Sequence, residues 1–434
     1  MAMRFQRILP FLLLLAVGGA WYVKQSARGL DGLLARDSAS NHGIPGRWRE
    51  APEPMGSNIE LISQLEAIGY LDGYEPAGEL IGVTVHIPER AMPGYNFYTS
   101  GHMQGAFLMD MQGVVLHSWE LDFREVFPEH SSTQLVEEEG LQDRRERWRY
   151  AHLFANGDVI ALYEGFGLIK IDKDSEVVWA EVNKAHHDLH VTPDGHIWML
   201  TREAHVVESV SDAPILEDFV LELDAQGREL RRISVLDALC NSDFATLMDH
   251  APPSGDIFHT NTIEVLSGHG SERASFLAAG NLLLSLPKLD TVLVIDGQTE
   301  AAIWGMTGMW EFQHHPTVLP NGHLMVFDNN GHQGLSKVIE LDPTTQEVVW
   351  SYRGTSENGF HSESCGSNQR LPNGNTLISE SDSGRAFEVD REGRIVWEFF
   401  NPARAGAHDE LIATLFEVLR LPADFPTDWA RGPR

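Results

Sequence analysis

A chain of 434 residues, 42% of them hydrophobic, is long enough to bury a large core, and closed all-β folds often run to this length as one unit. Lys and Arg number 32 against 63 Asp and Glu, a formal net charge of −31. Such a surface has no basic excess to release counterions, which excludes nucleic acid and anionic membrane faces as partners; a small anionic substrate in a pocket of opposite local sign stays compatible with it.

Arg4 and Arg7 precede an apolar run from Ile8 to Val23, closed by Lys24. The run reads as a signal peptide or membrane anchor, slightly shorter than the ~20 residues that span a bilayer comfortably. Positive charge ahead of it predicts a cytoplasmic N-terminus and export of the rest of the chain. The body is therefore expected on the periplasmic or cell-surface side, held at the cytoplasmic membrane through residues 8–23. Residues 24–93 read as a stem and lead-in, rich in turn formers at 38–56 and carrying a short amphipathic helix candidate at 58–71.

From residue 94 the pattern changes to short β-branched or alternating runs separated by Asn-Gly, Asp-Gly and Asp-Pro signals. Two half-repeats alternate. One is a turn followed by a strand: FANGDVIAL (154–162), TPDGHIWML (192–200), AAGNLLLSL (278–286), LPNGHLMVF (319–327) and LPNGNTLIS (371–379). The other is a hairpin led by Asp110, Asp172, Asp224, Asp296, Asp342 or Asp390. Six all-β units of about 50 residues predict a six-bladed β-propeller with four-stranded blades over 94–402, and a closing segment at 403–434. A two-domain β-sandwich is the alternative, and six units in phase argue against it. Trp179, Trp304, Trp350 and Trp397 recur seven or eight residues after the hairpin aspartate and read as packing between blades.

In a propeller the innermost strands line a central channel, so residues at equivalent points of different repeats converge on one axis. His314 lies seven residues before turn residue Asn321, His187 seven before Asp194, and Arg149 seven before Asn156. His259, in DIFHTNTIEVL (256–266), stands near the start of the matching strand in the repeat between them. His186 and His315 are one residue off this phase and should point elsewhere. Neutral imidazoles on one axis suit nucleophilic transfer with hydrogen-bond support, or metal binding by three histidines; a ligand-binding propeller without chemistry is the third reading. Asp188, Asp328 and Glu363 are the nearby carboxylates. No phosphate-cradling loop, nucleophile elbow, zinc-protease helix or calcium loop is present, so no cofactor and no metal are assigned. Cys240 and Cys365 are too few for a disulfide framework, and whether they pair is open from sequence.

The segments PGYNFYTSGHMQGAFLMDMQGVVLHSW, HHDLHVTPDGHIWML, DIFHTNTI, QHHPTVLPNGHLMVFDNNG and NQRLPNGNTLISESDSGRAFEVDREGRIVWEFFNP, in this order between residues 93 and 402, resemble the arylsulfotransferase family, the bacterial arylsulfate sulfotransferases and their relatives. The resemblance implies an exported six-bladed propeller that takes a sulfuryl group from an aryl sulfate, without the nucleotide donor PAPS, and passes it to a phenol in a ping-pong cycle. It implies His314 as nucleophile and His187 and His259 as the supporting pair. Pro287 stands where the family carries a sulfate-gripping Arg, which leaves Lys288 beside it, or Arg149, to take that contact; His186 and His315 complete the substrate-binding candidates. A non-catalytic, membrane-tethered propeller and an aryl sulfate hydrolase are the alternatives.

Overall fold

Each hairpin aspartate builds the same turn. The Oδ1 of Asp110, Asp172, Asp224 and Asp390 accepts the backbone N–H groups two and four residues on, while Asp296 takes those of Gln298 and Thr299 and Asp342 that of Thr344. The side chain closes the turn that the flanking runs then extend as paired strands. At the other half-repeat, Gly157, Gly195, Gly280, Gly322 and Gly374 sit at φ between 78° and 90°, a left-handed conformation that glycine adopts without steric cost.

The computed structural model describes residues 58, 61–62, 74–130, 147–332, 335–354, 359–406 and 408–430. The expected signal or anchor and most of the expected helix at 58–71 lie outside these residues. Among the described residues no helix is long and apolar enough to cross a membrane.

The fold is all-β and propeller-like. Among the described residues, six larger sheets follow one another along the chain, beside a small three-stranded sheet of Tyr74–Pro76, Leu411–Ala413 and Arg404–Ala405. Sheet I pairs Leu415–Pro422, Gly94–Ser100, Gly105–Met109 and Val115–Glu120 in that order. Sheet II runs from Trp148–Leu153 through Val159–Tyr163 and Gly167–Ile171 to Val177–Val182. Sheet III comprises Ala185–Val191, Ile197–His205, Ile215–Leu223 and Glu229–Ser234, with Gly255–Asp256 added in parallel. Sheet IV comprises Thr262–Val265, Leu282–Leu286, Thr291–Ile295 and Ala302–Thr307, and sheet V His314–Val318, Leu324–His332, Leu335–Leu341 and Val348–Arg353. Sheet VI comprises Ser367–Arg370, Thr376–Glu380, Arg385–Val389 and Ile395–Phe400, edged by Gly82–His86. A strand from the end of the chain thus opens sheet I, and one from before residue 94 edges sheet VI.

The hydrophobic core is divided between neighbouring sheets. Trp119 and Trp148 share a cluster between sheets I and II, Leu162 and Met199 between II and III, and Leu200 and Leu284 between III and IV. Val294 and Val326 join IV to V, Phe327 and Phe387 join V to VI, and Phe399 and Val418 join VI back to I. Each cluster buries faces that neither sheet hides alone, at about 1.5–3 kcal/mol per fully buried Leu, Ile or Phe. The recurrent tryptophans tie the same junctions: the indole N–H of Trp119, Trp179, Trp350 and Trp397 donates to the carbonyls of Gly157, Ala225, Arg391 and Met111 in the next sheet, at 3.0–3.1 Å. Sheet III has Arg231 in this slot, seven residues after Asp224; its guanidinium stacks on Trp198 and reaches the Gly297 carbonyl at 2.5 Å. Trp304 instead stacks on Phe276 of its own cluster, with centroids 4.6 Å apart.

The innermost strands leave one edge unpaired, and polar side chains clasp it. The backbone N–H of His187 donates to Glu164, that of Ile263 to Asp188, that of Val318 to Glu264 and that of Arg420 to Gln369, at 2.8–2.9 Å. Asn368 Nδ2 donates to the carbonyl of His315 at 2.9 Å. Buried carboxylates in the channel therefore have a structural duty, since an orphaned edge N–H there would cost as much as a lost hydrogen bond.

Candidate active site

The starting ends of the innermost strands border a small, open-mouthed cavity of about 40 Å³. Arg149, His187, His314 and His315 line it, with Asp188, Thr262, Cys365 and Glu417 among the other lining residues. The His259 ring stands 5.0 Å from the His187 ring, edge to face, and His186 is buried behind His187 with ring centroids 5.2 Å apart. Lys288 is half-buried in the turn after Leu286, its N–H bonded to the Phe258 carbonyl, and is not among the residues lining the cavity. Asp328 accepts the backbone N–H groups of Glu311 and Gly331 and pairs with Lys337 at 3.0 Å, so its carboxylate is a loop brace; Glu363 is exposed. Cys240 and Cys365 form no disulfide with each other.

The phase count brings Arg149, His187 and His314 to one cavity, but by a partly wrong route. Counted by ladder register, His186 lies opposite Leu200 and His314 opposite Phe327, each six residues past its turn residue. Bulges between His186 and Leu189, between His314 and Thr317, and between Trp148 and Tyr150 interrupt these strands. Bulges re-aim side chains at sheet ends, and here they turn His187 and Arg149 into the cavity beside His314. His315, expected to point elsewhere, also lines it, for the same reason. His187, His259, Phe312 and His315 all hold left-handed backbone, with φ of 58°, 55°, 57° and 48°. Four such non-glycine residues at one mouth mark a place where the surrounding structure overrides local preference.

His314 is the best defined of the group. Its Nδ1 lies 2.8 Å from Asn329 Oδ1 and 3.2 Å from the Phe312 carbonyl, and Asn329 Nδ2 donates to the carbonyls of Ser362 and Cys365, each at 2.8 Å. Both partners of Nδ1 are acceptors, so Nδ1 carries the proton. Nε2, buried and without a hydrogen-bond partner, holds the lone pair. Burial first, and the Arg149 charge second, lower the His314 pKa to about 3 and keep the ring neutral. The same two influences, with His259 between them in weight, hold His187 well below the usual range.

His259 is built differently. Its Nδ1 lies 2.5 Å from Asp256 Oδ2, and Asp256 Oδ1 accepts the His259 backbone N–H at 3.0 Å, a carboxylate–imidazole pair that fixes ring orientation. Arg149 is buried with Nη1 2.9 Å from Cys365 Sγ and its guanidinium 5.1 Å over the Phe416 ring. His315 Nε2 lies 3.0 Å from Glu417 Oε1; burial opposes its charge, but Glu417, Asp188 and Glu264 outweigh burial and its pKa is raised. Adjacent residues thus hold opposite proton affinities, His314 low and His315 high.

Sequence reasoning missed Glu164, Asn329, Asp256 and Glu417. A signal for the first two was present: counting eight forward from the turn residues 156, 194, 279 and 321 reaches Glu164, Arg202, Pro287 and Asn329, one row across four repeats. Asp256 stands three residues before His259. Glu417 had no such signal, because the strand that carries it lies beyond the repeats.

Among solved structures, a protein of unknown function from Bacteroides caccae aligns at 13% identity with a TM-score of 0.47, over 75% of this chain and 98% of that one. The β-propeller domain of Cps50 (Swd1) from Myceliophteria thermophila aligns at 11% identity with a TM-score of 0.42, over 80% of this chain and 99% of that one. At these identities and scores the likeness carries no functional inference. No curated protein matches the sequence. The family model described as arylsulfotransferase (ASST) does match it, across residues 151–402 and so more than half the chain, and the chain belongs to that family.

Proposed function

We propose that the chain moves a sulfuryl group from an aryl sulfate to a phenolic acceptor through a covalent intermediate on His314, inside a six-bladed propeller whose blades are the six sheets. The observation that carries this reading is the state of His314: a neutral ring, its proton committed at Nδ1, its Nε2 lone pair unpartnered in the cavity. A neutral imidazole is a competent nucleophile near neutral pH.

In the first half-reaction Nε2 attacks sulfur, forming N–S as the aryl S–O bond breaks, and the departing oxygen takes a proton from His259. In the second, an acceptor phenol returns its proton to His259, its oxygen attacks sulfur, N–S breaks and Nε2 recovers its lone pair. Arg149 and His187 meet the charged sulfuryl oxygens, where preorganised donors act most strongly in a water-poor site. Arg149 is the better successor to the absent family Arg, because it lines the cavity and Lys288 does not. Water in place of the phenol would make the same intermediate hydrolytic. The reading includes export, with residues 8–23 as signal or tether.

The test is intact mass after mixing the protein with an activated aryl sulfate. A gain of one sulfuryl group that is absent from His314→Ala supports the reading. No adduct and no phenol release across several esters overturns it in favour of a ligand-binding propeller.

A further inference from the structure

Behind the cavity, Glu164 and His186, which have no use in the transfer chemistry above, converge with His187. Glu164 Oε2 accepts the His187 backbone N–H at 2.9 Å, but Oε1 is buried with no hydrogen-bond partner, 3.9 Å from His187 Nδ1. His187 Nδ1 in turn lies 2.9 Å from His186 Nδ1. One nitrogen or oxygen from each of Glu164, His186 and His187 lies within 4.8 Å of the others, and all three residues are buried. The outer nitrogen of His186, Nε2, has no hydrogen-bond partner and faces Asp218 Oδ1 at 3.6 Å.

We propose that Glu164, His186 and His187 form a binding site for a divalent late transition metal of the zinc type. Two ligands each ~2.1 Å from a tetrahedral ion stand about 3.4 Å apart, and the measured 2.9 and 3.9 Å bracket that spacing. Two imidazoles and one carboxylate are a common donor set for such ions, with the fourth position left open. Asp218 stands where a carboxylate behind a metal-bound imidazole orients the ring and raises its basicity. Burial keeps both rings neutral, the form that ligates.

Arg149 and Arg202 lie close enough to act on Glu164, and Asp256 to act on His186, while burial raises the pKa of Glu164 and lifts that of Asp218 to about 7. The ion would occupy Nδ1 of His187 and leave its other nitrogen for the cavity that His187 lines, making it a stronger donor there. This site does not depend on His314 acting as nucleophile. The competing arrangement is a direct hydrogen bond between the two Nδ1 atoms with no ion.

The experiment uses the full chain without an affinity tag, incubated with zinc or cobalt chloride, dialysed, and analysed for metal by mass spectrometry. The expected result is about one ion per chain, with ligand-field absorption of four- or five-coordinate cobalt. His186→Ala and Glu164→Gln should each retain less than a tenth of that, with circular dichroism unchanged. Asp218→Asn should bind 10- to 100-fold more weakly, and His314→Ala should bind normally. Wild-type protein that retains no ion, or His186→Ala and Glu164→Gln proteins that retain as much as wild type, overturns the proposal. Where His186→Ala fails to fold, Glu164→Gln decides alone.

Discussion

The Nδ1 atom of His314 lies 2.8 Å from Oδ1 of Asn329, and Asn329 has already given its own amide protons to the carbonyls of Ser362 and Cys365. The amide can therefore present only oxygen to the ring. Asn329→Ala leaves only the longer contact to the Phe312 carbonyl to hold the tautomer and gives the ring room to rotate. Turnover should fall about 10²-fold with a much smaller change in KM, the scale expected when a reacting group is misplaced by an ångström. Asn329→Asp restores an acceptor and should recover part of the loss while moving the acid limb of the pH profile upward. Nitrogen chemical shifts of His314 report the tautomer directly. Asn329→Ala protein with turnover within twofold of wild type would refute the lock.

Arg149 is expected to act twice, as a grip on the sulfuryl oxygens and as one of the causes that hold His314 near a pKa of 3. Removing its positive charge makes protonation of His314 easier, so the His314 pKa moves up toward, without reaching, its ordinary value, because burial remains. Arg149→Met should lower kcat/KM by roughly 10²-fold and shift the acid limb to higher pH. Lys288→Ala, outside the cavity lining, should stay within about a factor of two. The pair of kcat/KM profiles separates the two candidates for the missing family Arg; the reverse ranking would assign that contact to Lys288.

The repeat and its turn chemistry made the sheets readable from sequence because each unit uses the same Asp-led turn and five of the six the same left-handed glycine. Sequence counting also brought His314, His187 and Arg149 to one cavity. It could not show why, since a bulge adds residues without changing the alternation of the text, and two of the three reach the cavity as bulge residues. It equally could not place Phe416 and Glu417, which arrive on a strand that pairs with Gly94–Ser100 from the far end of the chain. Contacts of that range leave no local period. The family match, at 151–402, likewise stops short of Arg149, Phe416 and Glu417.

His315 shows what the second of two adjacent histidines does. Its ring contacts Glu417 at 3.0 Å and its carbonyl accepts from Asn368, linking sheets V, VI and I. His315→Ala would strand Glu417, a buried carboxylate, without its imidazole. The expected outcome is destabilisation of about 1–3 kcal/mol in urea or thermal unfolding. Turnover of the protein that remains folded should drop far less than in His314→Ala. Equal loss of turnover in the two variants would make His315 part of the chemistry.

The clasping carboxylates predict the opposite of ordinary acid destabilisation. Burial pushes Asp188 and Glu264 up to about 7, from 3.8 and 4.5. Between roughly pH 4 and 7 the folded chain therefore holds protons that the unfolded chain has released, and these two groups make stability fall as pH rises through that window. His314, with its folded pKa depressed to about 3, works in the other direction, costing stability as pH drops below 6.5. Glu264→Gln keeps an acceptor for the Val318 N–H and removes one titration, leaving the histidine contribution untouched. Its melting temperature relative to wild type should thus rise steadily from pH 4 to pH 8. A difference curve that is flat across that range would mean Glu264 is ionised in the fold, paired more closely with His315 than burial allows.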